Sequence, residues 1–518
     1  MAGVKKRETI VQEKRQAITE AEPELDTLPK LLMRDYKQWG ERPAMRNKEF
    51  GVWHTYTWKE VYLEVKHFAL GLVSLGLKRG DRTCLIGDNE PQLYWAEFAT
   101  QSLGGPSVGI FVDCIPDEVK YYVQHSESTF VVARDQEQVD KILAIKDECP
   151  LLRKVIYWDE KGMWAYEDNP FVMSFEQVQE LGKDFEKEHR GYFEQEVEKG
   201  KGSDAAIFCY TSGTTKLPKA AMVRHSNLIA NLQSFLSVDP LFPTDEYVSY
   251  VSPAWITEQL LGITAGLLSS ATINFPEEPE TMMEDLREIG PSMVLYTSRL
   301  WESLCGTIQA KVDDSAWWKR GIYNLFLPVG YRIADFKLEH QRANLFWKAL
   351  YGIANLALLR PLRDKIGMLK TRSPYTGGAT IGPEIFRYFR ALGVDLKNIY
   401  GGSEDGICCA HNVKQIKWGS IGPPLPEMEV RVTDEGEMCW RGPNVFAGYY
   451  EMPGETAESL VNSWFRSGDA AYLDEDGHII FLDRVADLME LAGGKKYAPQ
   501  YIESRLKFSP WIRDIIVV

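Results

Sequence analysis

From about residue 50, short runs of consecutive apolar residues alternate with stretches in which apolar positions recur every three or four residues. WKEVYLEVKHFALGLVSLGL (58–77) and YWAEFATQSLGG (94–105) have the helical spacing, and the second closes on two glycines. KRGDRTCLIG leads into a strand, and PSVGIFV runs apolar without alternation, as a buried strand does. VVARD, KVIYW, AAIFCYTS, TINFP and MVLYTS continue the series. Such alternation predicts strand–helix–strand units around a largely parallel sheet, an α/β fold.

Two regions break the rhythm. Residues 305–372 read as helix throughout and interleave Trp317, Trp318, Phe326, Phe346, Trp347 and Leu358 with Lys319, Arg320, Arg332, Lys337, Arg342, Lys348, Arg360 and Arg363. This stretch is either an added helical layer with solvated basic faces or a surface for anionic lipid. After about 415, GSIGPPLPEMEVRVTDEGEMCWRGPNVFAGYY is rich in Gly and Pro between short alternating runs, which predicts a small β-subdomain. DRVADLMELAGG (483–494) reads as an interdomain hinge, and KYAPQYIESRLKFSPWIRDIIVV as a helix and then one strand. The expected layout is an N-terminal domain of layered α/β subdomains over 1–482, with a helical insertion at about 305–372 and a β-subdomain at about 415–482. Residues 483–518 are then the hinge and the start of an α+β C-terminal domain cut short, since a segment this brief cannot bury a core of its own.

Composition narrows the function. A chain of 518 residues exceeds one compact core, and 44% hydrophobic with 12% aromatic content suits packed globular domains. The formal net charge of −15 lacks the basic footprint of a general nucleic-acid binder, though a local field can still favour small anions. The eight cysteines form no C-x-x-C pair, which points to a reduced, cytoplasmic setting. The N-terminus has no apolar signal core, and no apolar run reaches the roughly 18 residues of a membrane span. The expected protein is soluble or at most peripheral to a membrane; its oligomeric state is not readable.

The chemistry concentrates in YTSGTTKLPKAAMVRH (210–225). A Walker loop needs a second glycine before the lysine and a hydroxyl residue after it; here only Gly213 precedes Lys219, and Ala220 follows it. What remains is a strand, then a turn carrying Thr211, Ser212, Thr214 and Thr215, then a proline and a lysine. Hydroxyls and backbone N–H groups on one tight turn make an anion nest, to which Lys219 adds a point charge. An ordinary Ser/Thr-rich loop is the competing reading.

TSGTTKLPKAAMVRHSN resembles the phosphate loop of the adenylate-forming acyl-CoA synthetase superfamily, [ST]-S-G-[ST]-T-G-x-P-K-G. YTGGAT (375–380), IYGGSEDG (399–406), GEMCWRGPNVFAGYY, WFRSGD (464–469) and LDRVADLMELAGGKKYAP match further motifs of that family in its order, over nearly the whole chain. The resemblance implies ATP-dependent activation of a carboxylic acid to an acyl-adenylate, then transfer to a thiol, usually of CoA, with ATP, Mg²⁺ and CoA as cofactors and co-substrates. It implies ATP/AMP binding by Thr211, Ser212, Gly213, Thr214, Thr215 and Lys219, by Gly377, Gly378 and Ala379 along the adenine, and by Tyr400, Gly401, Ser403 and Glu404. It places Asp469 and Arg484 at the ribose, Glu404 and Thr215 at the metal, and Lys219, Thr215 and Glu404 in catalysis. Physically, Tyr400 offers a ring face, Ser403 a hydroxyl for the α-phosphate, Glu404 a hard carboxylate for magnesium, and Asp469 two acceptor oxygens. A turn cap for Asp469 and an ion pair for Arg484 are the alternative readings.

SPAWITEQ (252–259) stands where the family gates its acyl tunnel, so Trp255 is either that gate or a core tryptophan. Gly493 and Gly494 match backbone that approaches pantetheine. The whole pattern looks most like bacterial long-chain fatty acid–CoA ligases. Three departures stand out: Lys216 and Ala220 replace glycines of the phosphate loop, Ala486 replaces a hinge Asp or Lys, and the family's catalytic lysine falls beyond the last residue. The alternatives are therefore a non-catalytic adenylate-binding protein, or an enzyme that delivers the acyl group to a carrier protein.

Overall fold

The computed structural model describes residues 24–211, 217–339, 341–378, 381–412, 415–417, 419–491, 494, 496–506 and 515–517. The chain divides into two compact units. The first comprises Met1–Pro279, Gly402–Gly406 and Pro443–Glu458, the second Glu280–Gly401, Ile407–Gly442 and Ser459–Val518.

In the first unit a seven-stranded sheet runs in the order Val172–Ser174, Lys154–Tyr157, Phe130–Ala133, Thr83–Ile86, Ser107–Ile110, Ala205–Thr211, Lys219–Arg224. Every neighbouring pair is parallel except the last, which is antiparallel. Strands such as Phe130–Ala133 and Thr83–Ile86 are buried at every position, which is why they read as unbroken apolar runs. A second group of strands orders as Glu246–Val248, Thr272–Phe275, Pro43–Glu49 and Val52–Thr57, parallel until the final hairpin.

Helices cover the faces, each begun by local chemistry. Thr57 starts Trp58–Ser74 with a reciprocal cap: its Oγ1 accepts from the Glu60 N–H at 3.2 Å, and its own N–H donates to Glu60 Oε2 at 2.7 Å. The outer strand Lys219–Arg224 is covered by residues 447–450. Ala447 N donates to Met222 O, Met222 N to Gly448 O and Tyr450 N to Ala220 O, each at 2.9 Å.

In the second unit, Met293–Thr297, Ser373–Gly377, Lys397–Gly402 and Gly406–Ala410 are consecutive neighbours, and the first two pairings are parallel. The predicted helical region is α1 (Ser298–Asp313), α2 (Trp317–Leu338), α3 (Leu345–Ala354) and α4 (Arg360–Lys365), with one π-helical turn at Asn355–Leu359. Asn344 caps α3 by accepting from Trp347 N at 3.0 Å. The β-subdomain is an antiparallel sheet of Glu429–Val432, Glu437–Arg441, Trp464–Leu473 and Leu460–Val461, with Ile479–Arg484 paired to Trp464–Leu473.

All eight cysteines are buried free thiols. Among the described residues no helix is long and apolar enough to cross a membrane. The expected helix after the hinge is Pro499–Leu506. The strand expected to follow is not seen at the described residues 515–517, where Val517 N donates to Glu503 Oε1 at 2.8 Å.

Candidate active site

The motif residues fall into two sets, one in each unit. In the first unit, Ala205–Thr211 and Lys219–Arg224 form a hairpin in which Thr211 lies opposite Lys219 and Tyr210 opposite Ala220. The register places both ends of the phosphate-loop motif side by side. Ser212, Gly213, Thr214, Thr215 and Lys216 lie outside the described residues. Ala220 is a fully buried strand residue with φ in the ordinary range, so its departure from glycine costs no strain.

Two side chains from the helix Pro116–His125 grip the hairpin at either end of the loop. Tyr121 donates its hydroxyl to Pro218 O at 2.7 Å, and His125 Nδ1 lies 2.8 Å from the Tyr210 hydroxyl. Burial lowers the His125 pKa and raises that of Tyr210.

Glu404 is held by a neighbour that the sequence reading left without a role. The Tyr449 hydroxyl donates to Glu404 Oε1 at 2.9 Å, and the ammonium of Lys219 lies 5.0 Å from the centre of the same Tyr449 ring. Lysine, phenol and carboxylate thus form a chain joining three motif segments. Phe446 N fixes the backbone by donating to Glu404 O at 2.7 Å. Beside it, the Cys209 sulfur lies 3.3 Å from Ser403 Oγ and 3.5 Å from Ala254 O. Burial pushes the Cys209 thiol up to about 11, so it stays protonated and is no nucleophile at neutral pH. The signal for Tyr449 was present in the quoted GYY, but nothing in one sequence says which tyrosine meets which carboxylate.

Trp255 precedes the short helix Ile256–Glu258 and the π-helix Gln259–Thr264. It is 49% exposed and meets Phe111 edge-on at 6.1 Å, so the core-tryptophan reading does not hold. Behind it Glu258 is wholly buried. It accepts from the hydroxyls of Tyr94 (2.6 Å), Ser249 (2.6 Å) and Tyr247 (2.9 Å), and burial pushes its carboxyl up to about 7.

In the second unit, Asp469 and Arg484 are direct partners across two antiparallel strands, with Arg484 Nη1 3.0 Å from Asp469 Oδ1. The other carboxylate oxygen accepts the Tyr400 hydroxyl. Burial raises the Asp469 pKa, while the Tyr400 hydroxyl and Arg484 pull it back. The Tyr400 ring leans on Trp440 and Phe481, at 6.2 and 6.3 Å between centres.

Gly377 ends a strand where a Cβ would come within 3.0 Å of Ile399 Cγ2, and Gly378 has φ +81°, a region side chains avoid. Ala379 lies outside the described residues. Gly401 follows Tyr400 in the strand Lys397–Gly402. Arg484 opens the 3₁₀ turn Val485–Asp487, in which Ala486 is exposed. Gly494 sits in the turn of the hairpin formed by Met489–Glu490 and Lys496–Tyr497, and Gly493 lies outside the described residues.

The described residues contain no cluster of three or more His, Cys, Asp or Glu side chains able to hold a metal by themselves. A lone carboxylate at Glu404 instead fits magnesium, which typically takes one or two carboxylates and completes its shell with substrate phosphates and water.

Comparison with known proteins identifies the family of the chain. The model of the AMP-binding enzyme family matches residues 32–450. The long-chain-fatty-acid–CoA ligase FadD15 of Mycobacterium bovis is 25% identical over 473 residues, covering 90% of this chain and 76% of its own. The long-chain-fatty-acid–CoA ligase heimdall of Drosophila melanogaster is 26% identical over 514 residues, covering 95% and 74%. Among solved structures, the anthranilate CoA ligase AuaEII in complex with anthranoyl-AMP superposes with a TM-score of 0.72 at 16% identity, over 94% of this chain and 83% of that one. Apo MatB from Rhodopseudomonas palustris gives 0.68 at 19%, over 95% and 85%. These structural likenesses establish a shared fold.

The chain belongs to the AMP-binding enzyme family. It is an AMP-forming ligase that uses ATP, Mg²⁺ and CoA.

Proposed function

We propose that the protein activates a long-chain fatty acid with ATP, releasing pyrophosphate and forming the acyl-adenylate, and then passes the acyl group to the thiol of CoA. The observation that carries this reading is the Lys219–Tyr449–Glu404 chain, which joins a cation and a carboxylate beside the phosphate-loop hairpin. The chain length of the acid rests on the two relatives named as long-chain ligases.

In the first step the acid's carboxylate oxygen bonds to the α-phosphorus and the bond to pyrophosphate breaks. The protein contributes positioning and charge stabilisation. The loop hydroxyls and Lys219 take the β- and γ-phosphates, and Ser403 donates to the α-phosphate. Glu404, with Thr215, would hold magnesium, which would supply positive charge to offset that of the phosphates. Asp469 takes the ribose: Tyr400 bonds only one carboxylate oxygen, and the other, paired in charge with Arg484, has no hydrogen-bond partner among the described residues, so both oxygens keep lone pairs for the two sugar hydroxyls. Gly377, Gly378 and Ala379 lie along the adenine, and Tyr400 presents its ring there.

In the second step the thiol sulfur of CoA attacks the acyl carbonyl and AMP leaves. Gly493 and Gly494 line the approach of the pantetheine, and Trp255 gates the acyl entrance. We assign the adenylation domain to 1–482 and the pivot to the chain after Asp483, where Gln500 N still donates to Asp483 Oδ2 at 2.9 Å.

A peripheral membrane contact accompanies this reading. Trp317, Leu345, Phe346 and Leu356 are 79, 84, 66 and 72% exposed on the same helices as exposed Arg320, Lys348 and Arg360, the composition of an interfacial helix.

The test is ATP-dependent pyrophosphate release across saturated acids of graded length, followed by CoA-thioester detection. Release that peaks at long chains, with thioester formed only when CoA is added, is the expected result. No release with any acid would overturn the reading.

A further inference from the structure

The second unit contains a cavity of about 660 Å³ enclosed by α1, α2, the π-helical turn and α4. Its size falls within the roughly 300–1,000 Å³ of small-molecule sites. None of its lining residues belongs to the phosphate-side or ribose-side sets.

The lining is apolar inside and cationic outside. Ile308 and Leu358 are buried in its wall, and Trp318 is half-exposed. Lys311, Lys319 and Lys365 also line it, and all three are exposed. No aspartate or glutamate is among the lining residues. Among the described residues none of the three lysines is ion-paired, and Lys319 only rests its ammonium 5.4 Å from the centre of the Trp318 ring. In a protein of formal net charge −15, three unpaired cations around an apolar hollow select an anion with a long apolar tail.

We propose that this cavity is a second binding site, for one long-chain fatty carboxylate: the apolar wall takes the chain, and Lys311, Lys319 and Lys365 take the head group. A neutral amphiphile of equal length would leave the lysines unmatched, and a cationic one would be repelled. Affinity should climb with each added methylene until the hollow is filled, because apolar burial grows with chain length.

The proposal does not rest on the adenylation reading, and its test needs no turnover. Tritiated palmitate is titrated onto the full chain by equilibrium dialysis, without nucleotide, below the concentration at which it aggregates. Two variants are compared with the unaltered protein: the triple charge reversal Lys311→Glu/Lys319→Glu/Lys365→Glu, confined to exposed side chains, and Ile308→Trp, which fills the hollow. Each should weaken one class of palmitate site at least tenfold, and palmitate methyl ester should compete at least tenfold less well than the acid. Pyrophosphate release at saturating acid should be unchanged in the charge-reversed variant. An unchanged isotherm in the charge-reversed protein, or equal competition by ester and acid, overturns the proposal. A protein that releases no pyrophosphate with fatty acids, yet shows the lysine-dependent site, refutes the proposed reaction and leaves this site standing.

Discussion

The hydroxyl of Tyr449 donates to Oε1 of Glu404 at 2.9 Å, and the face of the same ring receives the Lys219 ammonium at 5.0 Å. One phenol therefore orients both the carboxylate assigned to the metal and the lysine assigned to the terminal phosphates. A charge-assisted hydrogen bond is worth about 1.5–3 kcal/mol. Tyr449→Phe keeps the ring under Lys219 but frees Glu404. It should lower kcat/KM for Mg·ATP roughly tenfold and raise the magnesium concentration needed for half-maximal rate. A magnesium dependence identical to that of the unaltered enzyme would separate Tyr449 from the metal.

Asp469 gives a test that depends on the sugar. With Tyr400 and Arg484 each holding one oxygen, the remaining lone pairs discriminate between ATP and 2′-deoxy-ATP. The unaltered enzyme should prefer ATP by about tenfold in kcat/KM, and Asp469→Ala should lose most of that preference by binding ATP less well, the loss expected when one hydrogen bond to a charged group goes. Equal preference in both proteins would leave Asp469 as a structural ion pair only.

Tyr121 touches no assigned substrate group, so its effect separates positioning from chemistry. It closes one end of the loop by donating to Pro218 O. Tyr121→Phe is expected to raise the KM for ATP severalfold and leave kcat near its original value, read from initial rates of pyrophosphate release. A fall in kcat with KM unchanged would contradict a clamp on the loop.

Glu258 sets a pH dependence of stability. Burial raises its folded-state pKa to about 7, above the ordinary carboxyl value, so the folded protein holds this proton more tightly than the unfolded chain. The stabilising contribution is complete below the unfolded pKa and is lost as pH rises through about 7. Glu258→Gln cannot ionise, and it keeps hydrogen-bonding capacity toward Tyr94, Tyr247 and Ser249. Between pH 5.5 and 8 its melting temperature should fall less than that of the unaltered protein, with a relative gain on the order of 1 kcal/mol at pH 8. Parallel curves would place the proton elsewhere; Glu97, likewise wholly buried and raised to about 7, is the next candidate.

The exposed helices give a binding prediction. Leu345→Glu/Phe346→Glu should reduce co-sedimentation with phosphatidylglycerol vesicles at least fivefold, and salt should weaken binding of the unaltered protein. Equal sedimentation of the two proteins would return these helices to the status of a solvated layer.

The alternating pattern foretold the parallel strands because both faces of Phe130–Ala133 and Thr83–Ile86 are buried, which forces an unbroken apolar run. The motif residues were legible through their types and order. Their partners were not, because Tyr449 and Glu404 meet across 45 positions and Tyr400 and Asp469 across 69, distances no local periodicity spans. Trp255 shows the same limit, since a large aromatic reads alike whether it fills a core or stands half in solvent. Ala220 departs from the glycine of the family's loop, yet it is an ordinary interior strand position.

The backbone of residues 447–450 lies along Lys219–Arg224, the outermost strand of its sheet. An uncovered border strand is a template for unwanted association between molecules. The same four residues that keep that border shut also deliver the Tyr449 phenol to Glu404. Solubility and catalytic competence therefore hang on one short segment, and a lesion there should surface as aggregates before it can be seen as a sluggish enzyme.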